Sequence, residues 1–213
     1  MTALEVTRLV LGELDTNCWI VSDGSGGPLA VIDPAAEAER VLEAVAGRQV
    51  AAIILTHGHF DHLGAASQVV DATGAPLLVS AADAPSITTA EANGGAEFGF
   101  DFAAPVPDRL LADGDVIEAG GLTLSVWATP GHTQGSISLL ASGFTGDEHL
   151  FSGDTLFAGS VGRTDLAGGD PRSMRGSIAL LASLPHSTVV HPGHGPDTTI
   201  GHESRHNYFW PRA

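Results

Sequence analysis

Four apolar runs in this chain each end in a glycine-containing turn that carries histidine or aspartate, and this repetition limits the folds available. Ala51–Leu55 leads to His57, His59, Asp61 and His62. Leu124–Thr129 leads through Pro130-Gly131 to His132. Leu150-Phe151-Ser152-Gly153 leads to Asp154, and Val189-Val190-His191-Pro192-Gly193 leads to His194. A short apolar run bounded by turn residues reads as a buried strand. Rigid strands can present side chains on loops that converge at one edge, and glycine lets the backbone bend sharply beside them. If the four strand ends lie at one edge, seven ligand-type side chains meet there.

Within Thr56-His57-Gly58-His59-Phe60-Asp61-His62 the candidates are dense. His57 and His59 can point to one centre. Asp61 and His62 follow too closely to complete the same tetrahedron comfortably, which calls for a second. We assign His57, His59 and His132 to one metal and Asp61, His62 and His194 to the other. Asp154 bridges them, because a carboxylate has two oxygens. Imidazole nitrogen with carboxylate oxygen, and no thiolate, suits zinc or iron. The expected cofactors are two divalent metal ions, zinc first, with iron or a mixed zinc/iron pair as the alternative. Two such ions at ~3.5–4 Å can orient and activate a shared hydroxide nucleophile, and Asp61 or Asp154 can steer its proton. Two divalent cations set against two carboxylates and a hydroxide leave a slightly positive site, which favours anionic substrates. His149, His186, His202 and His206 are expected to be structural, and His191 buried or just behind the ligands.

The chain has 213 residues and a formal charge of −16, and all nine basic residues are arginine. The length suits one domain, 1–213. The acidic balance, with no basic run, speaks against nucleic-acid binding, and the lack of lysine excludes Schiff-base chemistry. No apolar run approaches the ~20 residues of a bilayer span, and the first residues lack the pattern of a secretory signal. A cytoplasmic protein, monomer or homodimer, with no membrane partner is expected. Cys18 is the single cysteine. It reads as a buried small apolar residue rather than a catalytic thiol.

Periodicity predicts helices over 36–46, 62–72, 171–183 and 198–207, with Asp61 placed to cap the second. Strands are expected over 4–11, 17–21, 29–32, 51–55, 77–79, 122–129, 136–140, 149–152 and 188–191. Asp113-Gly114-Asp115 and Gly120-Gly121 mark hairpin turns. The irregular stretch 84–107 reads as a binding loop or lid, and its Phe98, Phe100 and Phe102 argue that it docks on something. Tyr208 and Trp210 are expected to pack.

The motif 56–62, with His132, Asp154 and His194, resembles the metallo-β-lactamase-fold superfamily over nearly the whole chain. The resemblance implies an α/β fold, a four-layer αββα sandwich with the site at one edge of two sheets. Phe151-Ser152-Gly153-Asp154-Thr155-Leu156-Phe157, Gly162-Arg163-Thr164-Asp165 and the run from Pro192 to Glu203 narrow it. They resemble glyoxalase II-type hydrolases, especially short bacterial forms, and their persulfide dioxygenase relatives. The longer glyoxalase II enzymes add a C-terminal helical domain that helps hold glutathione, and they use a lysine on its carboxylate. This chain matches neither feature, and Arg163 is the candidate substitute for that lysine.

The expected function is therefore a binuclear metallo-hydrolase of glyoxalase II type. It would cleave a small anionic thioester, S-lactoylglutathione or an analogue on another low-molecular-weight thiol. The rival is an iron-dependent persulfide dioxygenase, which the resemblance gives one iron on the equivalents of His57, His132 and Asp154. Lactone or β-lactam hydrolysis is a weaker rival. The full set of seven ligands argues against an interaction module without chemistry.

Overall fold

Seven consecutive buried residues, Thr16–Ser22, form strand β2. Their alternation is between two cores rather than between core and water. Cys18 and Ile20 face one cluster, Trp19 and Val21 another. Strands buried on both faces read as continuous apolar runs, as do β3 (Leu29–Ile32), β4 (Val50–Ile54) and β5 (Leu77–Ser80). With β1 (Glu5–Leu11) and β6 (Arg109–Leu111) they make a six-stranded sheet in the order β1-β2-β3-β4-β5-β6. β1, β2 and β3 are antiparallel neighbours, and β3 through β6 run parallel. The structure, a computed structural model, describes residues 3–142 and 148–211.

A second six-stranded sheet has the order β14-β13-β10-β9-β8-β7. Its strands are β7 (Val116–Ala119), β8 (Leu122–Ala128), β9 (Ile137–Ser142), β10 (Glu148–Gly153), β13 (Val189–Pro192) and β14 (Thr198–Thr199). Only β10 and β13 pair in parallel. A small ribbon, β11 (Leu156–Phe157) with β12 (Ser160–Val161), stands apart. The turn at Gly120-Gly121 joins β7 to β8 as expected.

Three apolar clusters define the layers. Trp19, Ile32 and Ile54 of the first sheet meet Leu124, Leu139 and Phe151 of the second. On the outer face of the first sheet, Ile20, Val31 and Ile53 pack on α1 (Ala38–Ala44) and α2 (Ala66–Thr73) through Val41 and Val69. On the outer face of the second, Leu150 and Val190 pack on α3 (Pro171–Leu181) and α4 (Ile200–His206) through Met174, Ile178 and Ile200. The order helix–sheet–sheet–helix is the αββα sandwich.

Asp170 caps α3, accepting from the amides of Arg172 at 3.1 Å and Ser173 at 2.9 Å, with Pro171 at the first helical position. Such a cap satisfies amides that the first turn of a helix leaves without intrahelical partners. Thr199 caps α4 through the amide of His202. The second helix differs from expectation. Phe60–His62 is a single 3-10 turn, and α2 begins only at Ala66. A Cβ at the intervening Gly64 would collide with the carbonyl oxygen of Ala35. The chain must pass close to that backbone before the helix starts, so Asp61 caps nothing and its carboxylate turns toward His194.

The stretch 84–107 forms turns and a short 3-10 segment at Gly95–Phe98. Its aromatics dock as expected. Phe60 stacks on Phe98 at 5.5 Å and on Phe100 at 5.1 Å, and Phe100 meets Phe102 at 5.2 Å between ring centroids. The target is thus the motif 56–62 itself. Cys18 is fully buried in β2, and burial pushes its thiol pKa far up. Trp210 packs against the α3–α4 cluster, whereas Tyr208 is 78% exposed and does not pack as expected.

Candidate metal centre

The four strand ends meet. β4 comes from the first sheet, and β8, β10 and β13 from the second. Hydrogen bonds lock their turns to one another. The Ile137 amide donates to the Thr56 carbonyl at 2.9 Å, the Gly193 amide to Gly153 at 2.9 Å, and the Asn17 amide to Gly193 at 2.7 Å. Gly193 leaves no room for a side chain, because a Cβ there would strike Asp154 Oδ1 and the His62 ring. Gly153 has φ +47°, a conformation that costs glycine little, and lies against the Thr56 side chain.

All seven expected ligands come together, in three overlapping clusters whose donor atoms lie within 4.8 Å of one another. They are His57, His59 and His132; Asp61, His62 and His194; and His57, His62 and Asp154. His59 Nδ1 is 2.8 Å from His132 Nε2. His194 Nε2 is 3.2 Å from Asp61 Oδ2 and 3.3 Å from His62 Nε2. Asp154 lies between the groups. Its Oδ1 is 3.3 Å from His62 Nε2, and its Oδ2 is 3.5 Å from His132 Nε2 and 3.7 Å from His194 Nε2.

Groups behind the ligands fix which ring nitrogen faces inward. His132 Nδ1 donates to the Arg163 carbonyl at 2.8 Å, and His194 Nδ1 to the Leu14 carbonyl at 3.0 Å. His62 Nδ1 donates to Asp33 Oδ2 at 3.0 Å. The Thr56 hydroxyl donates to Asp33 Oδ2 at 2.7 Å, so its oxygen accepts from His57 Nδ1 at 3.1 Å. Each of these four imidazoles therefore turns Nε2 into the site. Partners of this kind orient ligands and raise their basicity.

The electrostatics favour a cation. Burial, then the neighbouring imidazoles, holds His57 well below the usual histidine range. Burial and His132 bring His59 down to about 4. Both rings stay neutral and free to ligate at pH 7. Burial works against charge on Asp154, yet the imidazolium of His62 holds its carboxyl below the usual range. His62 shows the converse. Burial disfavours its charge, but Asp154, Asp61 and Asp33 raise its pKa well above normal. In the absence of metal a proton on His62 serves as counter-charge to these carboxylates.

Two buried atoms settle whether metals fit. Among the described residues three buried side-chain atoms have no hydrogen-bond partner; one is His191 Nδ1, away from the cluster, and the other two are His57 Nε2 and Asp154 Oδ1. Leaving a buried polar atom unsatisfied costs roughly 1–3 kcal/mol. Both point into the cluster, where a divalent cation would satisfy them. The donor set is nitrogen and oxygen without sulfur, as zinc or iron sites require.

Two carboxylates essential to this geometry carried no ligand pattern in the sequence. Asp33, at the end of β3, is 1% exposed with φ +52°, and it accepts from the Thr56 amide as well as from Thr56 Oγ1 and His62. Asp83 accepts from the Gly58 amide at 2.9 Å, the Thr133 hydroxyl at 2.6 Å and the Gly135 amide at 2.9 Å. It ties the His57–His59 turn to the His132 turn. The only available signal was the Asp33-Pro34 pair at a strand end. His191 lies in the core between Trp19 and Phe151 rather than against the ligands, with His149 Nδ1 2.9 Å from its Nε2.

A cavity of about 400 Å³ opens over the cluster. His59, Asp61, His132, Asp154 and His194 form its floor, and Leu14, Phe60, Phe98 and Phe100 form an apolar wall. Arg163 stands on the other side. Its guanidinium grips Asp165 in a bidentate pair at 2.8 and 2.9 Å, at an exposed position.

The chain belongs to the metallo-beta-lactamase superfamily, which it matches over residues 11–194. It is a metal-dependent hydrolase of that superfamily, and its His/Asp clusters suit a binuclear metal site. Among solved structures it is similar to the BLEG-1 B3 metallo-beta-lactamase, with a TM-score of 0.89 and 34% identity over 96% of this chain and 99% of that one. It is also similar to TTHA1623 in a di-iron-bound form, with a TM-score of 0.83 and 38% identity over 96% and 100%. Hydroxyacylglutathione hydrolase GloC of Haemophilus influenzae is 34% identical over 91% of this chain and 92% of its own length. No helix of the described residues is long and apolar enough to cross a membrane.

Proposed function

We propose that this protein is a thioesterase of glyoxalase II type, acting on S-lactoylglutathione or the same acyl group on another low-molecular-weight thiol. The observation that carries the reading is the placement of Asp154 between two nitrogen-rich clusters, beneath a cavity with one arginine on its wall. The similarity to a hydroxyacylglutathione hydrolase over nearly the full length of both chains supports it.

His57, His59 and His132 would hold one ion, and Asp61, His62 and His194 the other, with Asp154 shared. When bound, two such ions supply Lewis acidity and make water a nucleophile near neutral pH. The protein's own groups do the rest. The net change replaces the acyl carbon–sulfur bond with a carbon–oxygen bond from water, giving a carboxylate, a thiol and one released proton. Burial opposes charge on Asp61, yet His62 and a hydrogen bond to His194 hold its carboxyl far below the usual range. Asp61 and Asp154 are therefore ionised at the cavity floor, where they can accept a hydrogen bond from water and steer its proton. Phe60, Phe98 and Phe100 screen one side from solvent. Arg163, which lines the cavity, would take a carboxylate of the substrate. Its pair with Asp165 is exposed and screened by solvent, so a substrate carboxylate can displace Asp165. The expected substrate is a small anionic thioester, not a nucleic acid.

One observation favours a second reading. The structural relative TTHA1623 holds two irons, and iron in this site would also suit dioxygen chemistry on a persulfide. The two readings part on one preparation assayed twice. Turnover of S-lactoylglutathione without oxygen uptake supports the thioesterase. Oxygen uptake with glutathione persulfide and no thioester cleavage replaces it with the dioxygenase.

A further inference from the structure

We propose that a second groove, reached from the metal cavity past Arg163, holds the anionic end of the substrate's thiol carrier, with Arg175 as its charged contact. The proposal rests on the thioesterase reading and extends it to a part of the chain that the ligand motifs do not touch.

The groove has a volume of about 480 Å³. Met174 and Ile178 of α3 line its apolar floor, and Tyr208 and Phe209 stand at its rim. Arg163 lines both depressions. The Arg163 carbonyl is also the acceptor for His132 Nδ1. The segment dividing cavity from groove is therefore anchored directly to a metal ligand. A carrier whose sulfur sits over the cluster can cross this segment and continue along α3.

Charge marks one end of the groove. In a chain of net charge −16 a free guanidinium stands out. Arg8, Arg40, Arg48, Arg109 and Arg163 each lie within 3.7 Å of a carboxylate. Among the described residues Arg172, Arg175 and Arg205 have no such partner, and of these three it is Arg175 that lines the groove. The rim is unusual too. Tyr208 is 78% and Phe209 51% exposed, although both could have packed inward as Trp210 does. Exposed aromatics beside an unpaired arginine suit a ligand with an extended stem and a terminal carboxylate. A wholly apolar ligand would leave Arg175 without a role. A multiply charged polymer would meet the surrounding acidic surface.

The test compares S-lactoylglutathione with its diester, which lacks both carboxylates, in the metal-loaded wild-type protein and in Arg175→Glu. We expect the ratio of kcat/KM for the carboxylate substrate over the diester to fall roughly three- to tenfold in Arg175→Glu, as an exposed ion pair replaced by a repulsion implies. Arg175→Lys should recover most of the ratio. Arg205→Glu makes the same charge change on the exposed face of α4, outside the groove, and should leave the ratio unaltered. A ratio unchanged by Arg175→Glu, or lowered equally by Arg205→Glu, overturns the groove while the thioesterase reading stands. Absence of turnover on either thioester by the wild-type protein removes that reading, and this inference with it.

Discussion

His62 Nδ1 donates to Asp33 Oδ2 across 3.0 Å, and neither side chain is more than 1% exposed. Asp33 thereby sets the direction of one ligand of the Asp61–His62–His194 cluster. Through Thr56 it also fixes the tautomer of His57. A carboxylate behind a ligating histidine typically carries a 10- to 100-fold effect on metal affinity. Asp33→Asn keeps the shape and removes the charge. We expect metal affinity about tenfold weaker, read by competition with a chromophoric chelator. An unchanged affinity would show that Asp33 serves only to shape the strand end.

Asp83 joins two turns that are distant in sequence. In Asp83→Ala the Gly58 and Gly135 amides and the Thr133 hydroxyl lose their acceptor. Buried donors left in this way should cost roughly 2–3 kcal/mol in total. Urea unfolding of the metal-stripped protein reads this cost. A midpoint equal to wild type means that water replaces the carboxylate without loss.

Burial keeps His191 neutral, with its pKa brought down to about 4 although the Asp197 carboxylate pulls upward. Its unfolded value lies near 6.5. The sign follows from proton counting. Between pH 6.5 and 4 the unfolded chain binds a proton at this position that the folded protein refuses, so stability falls as pH falls through that window. The contribution between pH 7 and 5 is on the order of 1–2 kcal/mol. His191→Gln should flatten the decline of the urea midpoint over this range. An equally steep decline in the variant would place the acid sensitivity elsewhere.

Cys18 is buried with its thiol pKa raised by desolvation. Reaction with a disulfide reagent requires an exposed thiolate. Labelling of the native protein at pH 8 should be negligible over an hour and complete within minutes in denaturant. Rapid native labelling would contradict its place in β2.

The ligands were legible in the sequence because imidazole and carboxylate announce themselves by type, and because each followed an apolar run and a glycine turn. The sandwich was legible through strands such as β2 and β3, whose unbroken burial requires cover on both faces. Asp33 and Asp83 were not, since their partners are backbone amides, hydroxyls and an imidazole brought in from other elements. Such carboxylates leave no periodic trace. In the sequence Asp61 has the pattern of a helix cap, an Asp ahead of an apolar run. The helix begins only at Ala66, after Gly64 has passed close to the Ala35 carbonyl, and the Asp61 carboxylate faces the site instead. Tyr208 was expected to pack because aromatics usually do, and composition cannot show which aromatic a groove leaves at its rim.

The central claim is that two cations share this one cluster and that hydrolysis depends on them. Its most direct test strips the protein with a chelator and adds zinc or iron(II) back stepwise while following S-lactoylglutathione turnover. The account predicts no activity without metal and a rise that saturates at two equivalents per chain. In Asp154→Ala turnover should be nearly abolished at any metal level. Full turnover in the stripped protein, or in Asp154→Ala, would contradict it.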